Sequence, residues 1–445
     1  MPAPPAYLED PRDIARGHGL LVRPETTAEV AHILRVCAQA RVGVVPYGGG
    51  TGLVGGQVAG DGPAPLILSL ERMAAIRTVD TAAGILVAEA GAPLAKVQAA
   101  AGGAGQLFPL SLASEGTAHV GGILATNAGG VQVLRYGMAR DLCLGVESVL
   151  PDGAIHHGLT GLRKDNTGYD LRHLLIGSEG TLAVITAASL RLFPRPAEQV
   201  TVLAPVVSPV AAISLLSRLQ DETGGLLTAF ELISGQGLHF LAKVMPRIRR
   251  IFDPAPDWMV LVEAGAGRDS GIEAAVSRGF MAGMDAGETL DVRVARSGRQ
   301  RTDFWTLRES LPAANRVIGA VSSHDISVPI NAVPEFVDRG ADVIASLGPL
   351  RINCFGHLGD GNLHYNIFPP EGEAASIWLP LRGEVSEAIY QLVADLGGSI
   401  SAEHGIGRFR RQVLARYADP AKLAAMRTIK AALDPAGIMN PGAVL

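Results

Sequence analysis

Apolar positions recur at helical spacing between Thr26 and Ala40. Val30, Ile33, Leu34 and Cys37 fall on one stripe, Thr26 or Thr27 is placed to cap its start, and Gly43 lies just past its end. A short apolar strand follows and runs into a glycine-rich stretch, GVVPYGGGTGLVGG, over 43–56. Two later segments repeat this succession of glycine patch and apolar run: SLASEGTAHVGGILATNAGG over 111–130, and NTGYDLRHLLIGSEGTLAVIT over 166–186, which ends like a strand. The stretch QVTVLAPVVSPVAAISLLS (199–217) is uncharged, but Pro205, Pro209 and five polar residues interrupt it, so it does not read as a membrane span. Ser208-Pro209 instead predicts an N-cap with proline in the first helical position, hence strand, turn and helix. That unit opens a second domain, with FPRPAE (193–198) as the crossover linker. Towards the other end, INCFGHLGDGNLHYNIF (352–368) reads as a hairpin. Its Asp360-Gly361 turn supplies the positive φ angles of a two-residue reversal.

Composition narrows the possibilities. At 445 residues the chain exceeds a single core, and two domains of roughly 200 residues each are expected. The net charge of −5 comes without a block of like charge, which indicates neither a nucleic-acid nor an anionic-membrane partner. Cys37, Cys143 and Cys354 are scattered through apolar surroundings and read as small buried residues, not as a disulfide framework or metal cluster. The start, MPAPPAYLEDPRD, has no apolar core behind a basic segment, so no signal peptide is read and a cytoplasmic location is expected.

Glycine after a strand lets backbone N–H groups approach phosphate oxygens with no side chain between. The run at 48–52 lacks a P-loop lysine and does not open a helix as GxGxxG, so neither of those nucleotide fingerprints is met. By itself it reads equally well as a flexible surface loop. Three glycine and hydroxyl patches, with Ser111, Thr117, Thr126 and Asn127 as polar contacts, suit a long ligand with a diphosphate. Many neutral donors and few cations argue against nucleic acid.

The hairpin carries the other chemistry. A two-residue turn at 360–361 pairs 359 with 362, 358 with 363, and His357 with His364. Directly opposed residues have side-chain roots about 4.5–5.5 Å apart, so both imidazoles can reach one ion. Two histidines flanking a turn are often only exposed polar residues. Here GGSISAEHGIGRFRR (397–411) adds Glu403 and His404. Two imidazoles and one carboxylate with a position left open make the composition of a catalytic divalent-metal site. His404, on the opposite face of an extended segment from Glu403, is then free for proton transfer.

These motifs resemble the flavin-dependent dehydrogenases of the vanillyl-alcohol-oxidase superfamily, with its PCMH-type FAD-binding domain, in the branch of D-lactate, D-2-hydroxyglutarate and glycolate dehydrogenases. VPYGGGTGLVGG, ATNAGG, NTGYDLRHLLIGSEGTL, GHLGDGNLH, SAEHGIG and LDPAGIMNPG carry the resemblance over nearly the whole chain. It implies an α+β fold. A two-lobed FAD-binding domain (1–196) would precede a substrate or cap domain with an antiparallel sheet and flanking helices (197–420), and a C-terminal segment (421–445) would return to the flavin. The resemblance places non-covalent FAD against Pro46, Gly48, Gly49, Gly50, Thr51 and Gly52. Ser111, Thr117, Gly121, Gly122, Thr126 and Asn127 match a second cradle, Gly180 and Ile185 a strand beside the adenosine, and Asn440 the returning segment.

It further implies a divalent metal, zinc being the expected ion, on His357, His364 and Glu403, with His404 as general base. Arg308 matches the carboxylate-binding arginine and Asn366 a substrate hydrogen-bonding position. The reaction is oxidation of a D-2-hydroxy acid, D-lactate-like or D-2-hydroxyglutarate-like, to the 2-oxo acid. Hydride passes to the flavin and electrons leave to an external acceptor (a flavoprotein, quinone or cytochrome). A homodimer is a family-level expectation. The chain departs from relatives acting on the dicarboxylic substrate: Pro312 and Ser323 stand where those carry Thr and Lys, which takes a cation from a second carboxylate and favours a smaller acid such as D-lactate. Other readings are a flavin subunit of a glycolate-oxidase-type complex with an iron–sulfur partner, a non-catalytic flavin carrier, and a zinc hydrolase.

Overall fold

The structure, a computed structural model, describes residues 2–12, 14–60 and 62–445. The chain divides into two compact units. The first comprises residues 1–130, 136–195 and 403–445, and the second 131–135 and 196–402.

In the first unit, β1 (Leu20–Val22), β2 (Val44–Tyr47) and β3 (Leu66–Ser69) form a parallel sheet in the order β1-β3-β2. β4 (Ile76–Asp80), β5 (Ile85–Glu89), β7 (Cys143–Val149), β8 (Ile155–Gly158) and β9 (Val184–Arg191) make an antiparallel sheet in the order β4-β5-β9-β7-β8. β6 (Gln106–Leu107) pairs with β10 (Phe193–Pro194). The helix Thr27–Ala40 forms on the expected stripe: Val30, Leu34 and Cys37 are buried and Ile33 half-buried. Thr26 is the cap, its Oγ1 accepting from Glu29 N at 3.2 Å. The left-handed residue ending the helix is Arg41, at φ 54°, not Gly43. Gly43 is small for another reason, since a Cβ there would meet Pro441 Cγ at 2.9 Å. The buried face of this helix joins Leu68, Val149 and Val184, from both sheets, with Ile438 and Met439 in one core.

In the second unit β11 (Glu198–Pro205), β12 (Leu227–Ser234), β13 (Trp258–Ala266), β14 (Arg293–Val294), β15 (Ser322–Ser327), β16 (Arg351–His357) and β17 (Asn362–Phe368) form a single antiparallel sheet. Its order is β14-β11-β13-β12-β16-β17-β15. Every residue of β12 is buried, and the helices Pro209–Thr223 and Gly235–Val244 pack against it. The helix Pro209–Thr223 begins as expected: Ser208 Oγ accepts from Ala211 N at 3.1 Å and Pro209 occupies the first turn. Ser208→Ala is expected to cost about 1 kcal/mol in urea melts followed by circular dichroism, the worth of one N-cap; no change would show the cap to be idle.

The division differs from the one expected at 420. The second unit ends at Ala402, because the segment after it is already bonded to the first unit. Glu179 Oε1 and Oε2 accept from Ile406 N and Gly407 N at 2.8 and 2.7 Å, and Arg408 Nη1 donates to the Gly55 and Gly56 carbonyls at 2.9 and 2.8 Å. The chain then adds to the free edge of β2, where Val44 N donates to Ile438 O and Asn440 N to Val44 O. The cysteines are free and buried. No helix of the described residues is long and apolar enough to cross a membrane.

Candidate functional site

In the first unit the glycine patches lie against one another. A Cβ on Gly49 would sit on the Thr117 carbonyl oxygen, well inside van der Waals contact, and one on Gly48 would lie 3.4 Å from Gly122 Cα. Gly50 has φ +71°, and a Cβ there would run into the Tyr47 hydroxyl. Gln57 Nε2 donates to the carbonyls of Gly52 at 2.8 Å and Gly50 at 3.4 Å, which pins the turn. The backbone N–H groups of Gly48, Gly49, Gly50, Thr51 and Gly52 donate to no described residue. A half-buried run of free N–H groups, closed in by glycine-to-backbone contact, fits the diphosphate of FAD.

The remaining flavin candidates divide by what their side chains already do. Gly180, at φ +71°, packs against the ring of Pro46, and Gly121 against Ala90. Ile185 is buried in β9. The hydroxyls of Thr117 and Thr126 donate to the carbonyls of Ser114 and Gly122, and Ser111 Oγ lies 3.5 Å from Glu115. Asn127, at φ 49°, accepts from Arg140 N at 2.9 Å. Asn440 is buried and committed to protein: Nδ2 donates to Gly56 O and Glu179 O, and Oδ1 accepts from Arg408 Nη2 at 2.8 Å. Its evident work is to tie the returning segment to the cradle. Glu179 carries no signal in the sequence, yet it holds that segment. Burial pushes its carboxyl up, against the pull of the Ile406 and Gly407 N–H groups and of Arg410 and Arg408.

In the second unit the hairpin forms with a different register. His364 faces Phe355, not His357, and the turn is a four-residue loop in which Leu358–Asp360 is a 3₁₀ turn. Only Gly361, at φ 78°, is left-handed, whereas the two-residue reversal needs two such residues. The slip is of two positions, and side chains alternate with period two, so His357 and His364 keep a common face. Their ring centroids are 5.5 Å apart. The strand register extends this face to Glu231, opposite His357, and to Asp325, opposite His364. Asn366 lies two residues beyond His364, between Asn353 and Ser323, and its Nδ2 donates to the His364 carbonyl at 3.0 Å.

The two imidazoles differ in what stands at Nδ1: His357 has a hydrogen-bonded carboxylate, His364 only a neighbouring one. Glu231 Oε1 is 2.6 Å from His357 Nδ1, and Asp325 Oδ1 is 3.9 Å from His364 Nδ1. The hydrogen bond to Glu231 leaves Nε2 of His357 as the ligand nitrogen, and such backing commonly accompanies metal-binding histidines. This donor set fits a divalent metal. Arg308 is also bound to Glu231: Nε and Nη2 each lie 2.7 Å from Oε2, with the guanidinium 4.8 Å above the Phe355 ring. Burial pushes Glu231 up, but His357 and Arg308 outweigh it and hold the carboxyl down at about 2. A charged residue alone within the apolar strand LTAFELIS was the available signal for Glu231. His324 is a satisfied core histidine, with Nδ1 on Tyr365 O and Nε2 on Ser322 Oγ, both at 3.0 Å. Trp305 donates to the buried Glu263 at 2.9 Å, a structural contact.

Beyond His364 lies β15, the edge strand. Ser399 bridges Ser327, and Ala402 N donates to Asp325 O at 3.3 Å. Glu403 and His404 follow at once, as the first residues of the return to the first unit.

Comparison with known proteins agrees with both halves. Residues 19–158 match the FAD binding domain and residues 195–444 the FAD linked oxidases, C-terminal domain. The chain is 37% identical to the mitochondrial D-2-hydroxyglutarate dehydrogenase of Bos taurus, over 98% of this chain and 79% of that one. It is 36% identical to the D-2-hydroxyglutarate dehydrogenase of Xanthomonas citri pv. viticola (94% and 87%), and 33% to that of Stutzerimonas stutzeri (99% and 94%). Among solved structures, p-cresol methylhydroxylase superposes with a TM-score of 0.75 at 14% identity, over 95% of this chain and 88% of that one, which shows a shared fold. The chain therefore belongs to the FAD-linked oxidases of the vanillyl-alcohol-oxidase superfamily, among the FAD-dependent D-2-hydroxy-acid dehydrogenases.

Proposed function

We propose that this oxidoreductase oxidises a D-2-hydroxy acid to the 2-oxo acid with non-covalent FAD and a divalent metal, zinc being the favoured ion, and passes its electrons to an external acceptor. The observation that carries the metal reading is the pair of imidazoles on one sheet face, with ring centroids 5.5 Å apart and Glu231 hydrogen-bonded to His357 Nδ1. His357 and His364 would hold the ion with Glu403, one peptide bond beyond the Ala402 that is tied to Asp325. A bound metal lowers the cost of forming the alkoxide, and bound flavin accepts the hydride.

The chain's own groups do the rest. His404 takes the hydroxyl proton. Arg308 presents to the substrate carboxylate the guanidinium edge that Glu231 leaves over, and Asn366 contributes a hydrogen bond beside it. The relatives' names favour 2-hydroxyglutarate. Ser323, opposite Asn366, offers a distal carboxylate a hydroxyl and no charge, which favours a smaller acid.

Anaerobic flavin bleaching by a panel of D- and L-2-hydroxy acids, with D-lactate and D-2-hydroxyglutarate in parallel, tests the reading. Bleaching by a D-acid is expected to vanish on chelation and return with zinc. Bleaching that survives chelation would remove the metal from the reaction, and a preference for L-acids would overturn the substrate class.

A further inference from the structure

Glu231 is fully buried in the middle of β12, and its two carboxylate oxygens serve different partners. Oε2 accepts from Arg308 Nε and lies 2.7 Å from Nη2; Oε1 lies 2.6 Å from His357 Nδ1. A carboxylate only accepts hydrogen bonds, so Nδ1 must carry the hydrogen, and the lone pair of the neutral His357 ring is on Nε2. The same carboxylate occupies the Nε edge of the guanidinium, while Phe355 supports its plane. The outer edge of Arg308 is thereby aimed, and the fork matches a planar carboxylate.

We propose that Glu231 is a positioning residue that sets two binding functions at once: it fixes the His357 tautomer for the metal and orients Arg308 for the substrate's carboxylate. This rests on the roles proposed above for His357 and Arg308. Glutamine at this position keeps the shape but cannot accept on both atoms. With its NH₂ toward His357 it forces the hydrogen onto Nε2 and removes the ligand lone pair. With its NH₂ toward Arg308, donor meets donor and the guanidinium must turn. Either orientation damages one function, and exchange between them damages both.

The test uses FAD-loaded, metal-stripped wild-type protein, Glu231→Gln and His357→Ala. Zinc affinity is read by competition with a chromophoric chelator, then KM and kcat are measured at saturating zinc. For Glu231→Gln, zinc binding is expected to weaken by about 10- to 100-fold, the usual effect of losing a group that orients a metal ligand. KM is expected to rise several-fold while the flavin absorbance per protein is unchanged. Wild-type zinc affinity together with an unchanged KM would overturn the proposal and leave Glu231 a structural ion pair. A wild-type protein that takes up no zinc, or a His357→Ala protein that binds it normally, would overturn the metal reading and with it this proposal. Should Glu231→Gln fail to fold, ¹⁵N-histidine spectra of metal-free wild type, assigned against His357→Gln, carry the test. An Nδ1–H tautomer supports the proposal and an Nε2–H tautomer overturns it.

Discussion

Gly49→Ala protein is expected to leave gel filtration without its yellow colour, whereas Gly116→Ala keeps it. The first substitution drives a methyl group into the Thr117 carbonyl, with Thr117 C at 2.8 Å and Ala118 Cα at 3.1 Å; the second meets nothing within 4 Å. Backbone cannot rotate aside as a side chain can, so the loop at 48–52 and the segment at 117–118 must part. Overpacking of this kind costs about 1–3 kcal/mol. Charged wholly against the flavin-binding form, that is roughly tenfold to a hundredfold in affinity. It acts where the free N–H groups have to converge. The ratio of absorbance at the flavin band to that of protein, before and after filtration, checks the outcome. A fully loaded Gly49→Ala protein would mean that the ligand does not lie between these segments.

The second large effect is expected at His404. His404→Gln should slow anaerobic flavin reduction by about 10²- to 10⁴-fold, the range for loss of a general base, with FAD content and zinc uptake preserved. The next residue, Gly405, has φ +78°, and a Cβ there would press on Glu179 Oε1 at 2.8 Å. The two N–H groups after it are bonded to the same carboxylate. The loop bearing His404 is therefore held on the first unit by backbone bonds that do not involve the imidazole. Stopped-flow traces at saturating D-acid make the measurement. A loss of less than tenfold would take His404 out of the proton transfer and turn attention to other groups.

Features set by neighbours in sequence were legible before the fold was known. Thr26 and Ser208 cap their helices as read, and the stripe at Val30, Leu34 and Cys37 is buried. The hairpin was legible in existence and in facing, but not in register, because a D-G dipeptide does not reveal that the three residues before Gly361 coil into a 3₁₀ turn. The polar pairings that shape the sites escaped notice. Glu231 meets partners 77 and 126 residues away, and Glu179 meets partners 227 and 228 residues away. No periodicity encodes such distances. The division at Ala402 has the same origin: the segment after it is bonded to Glu179, a carboxylate early in the sequence.

That return has a consequence for biogenesis. A ribosome delivers residues 1–195 long before residue 438, so the nascent chain must carry β2 with Val44 bare until the whole of the second unit has emerged. The clamp on Glu179 and the bridge from Asn440 to Gly56 wait equally long. These bonds of the first unit can therefore form only after every strand of the second has been made, so the first unit is begun first and completed last.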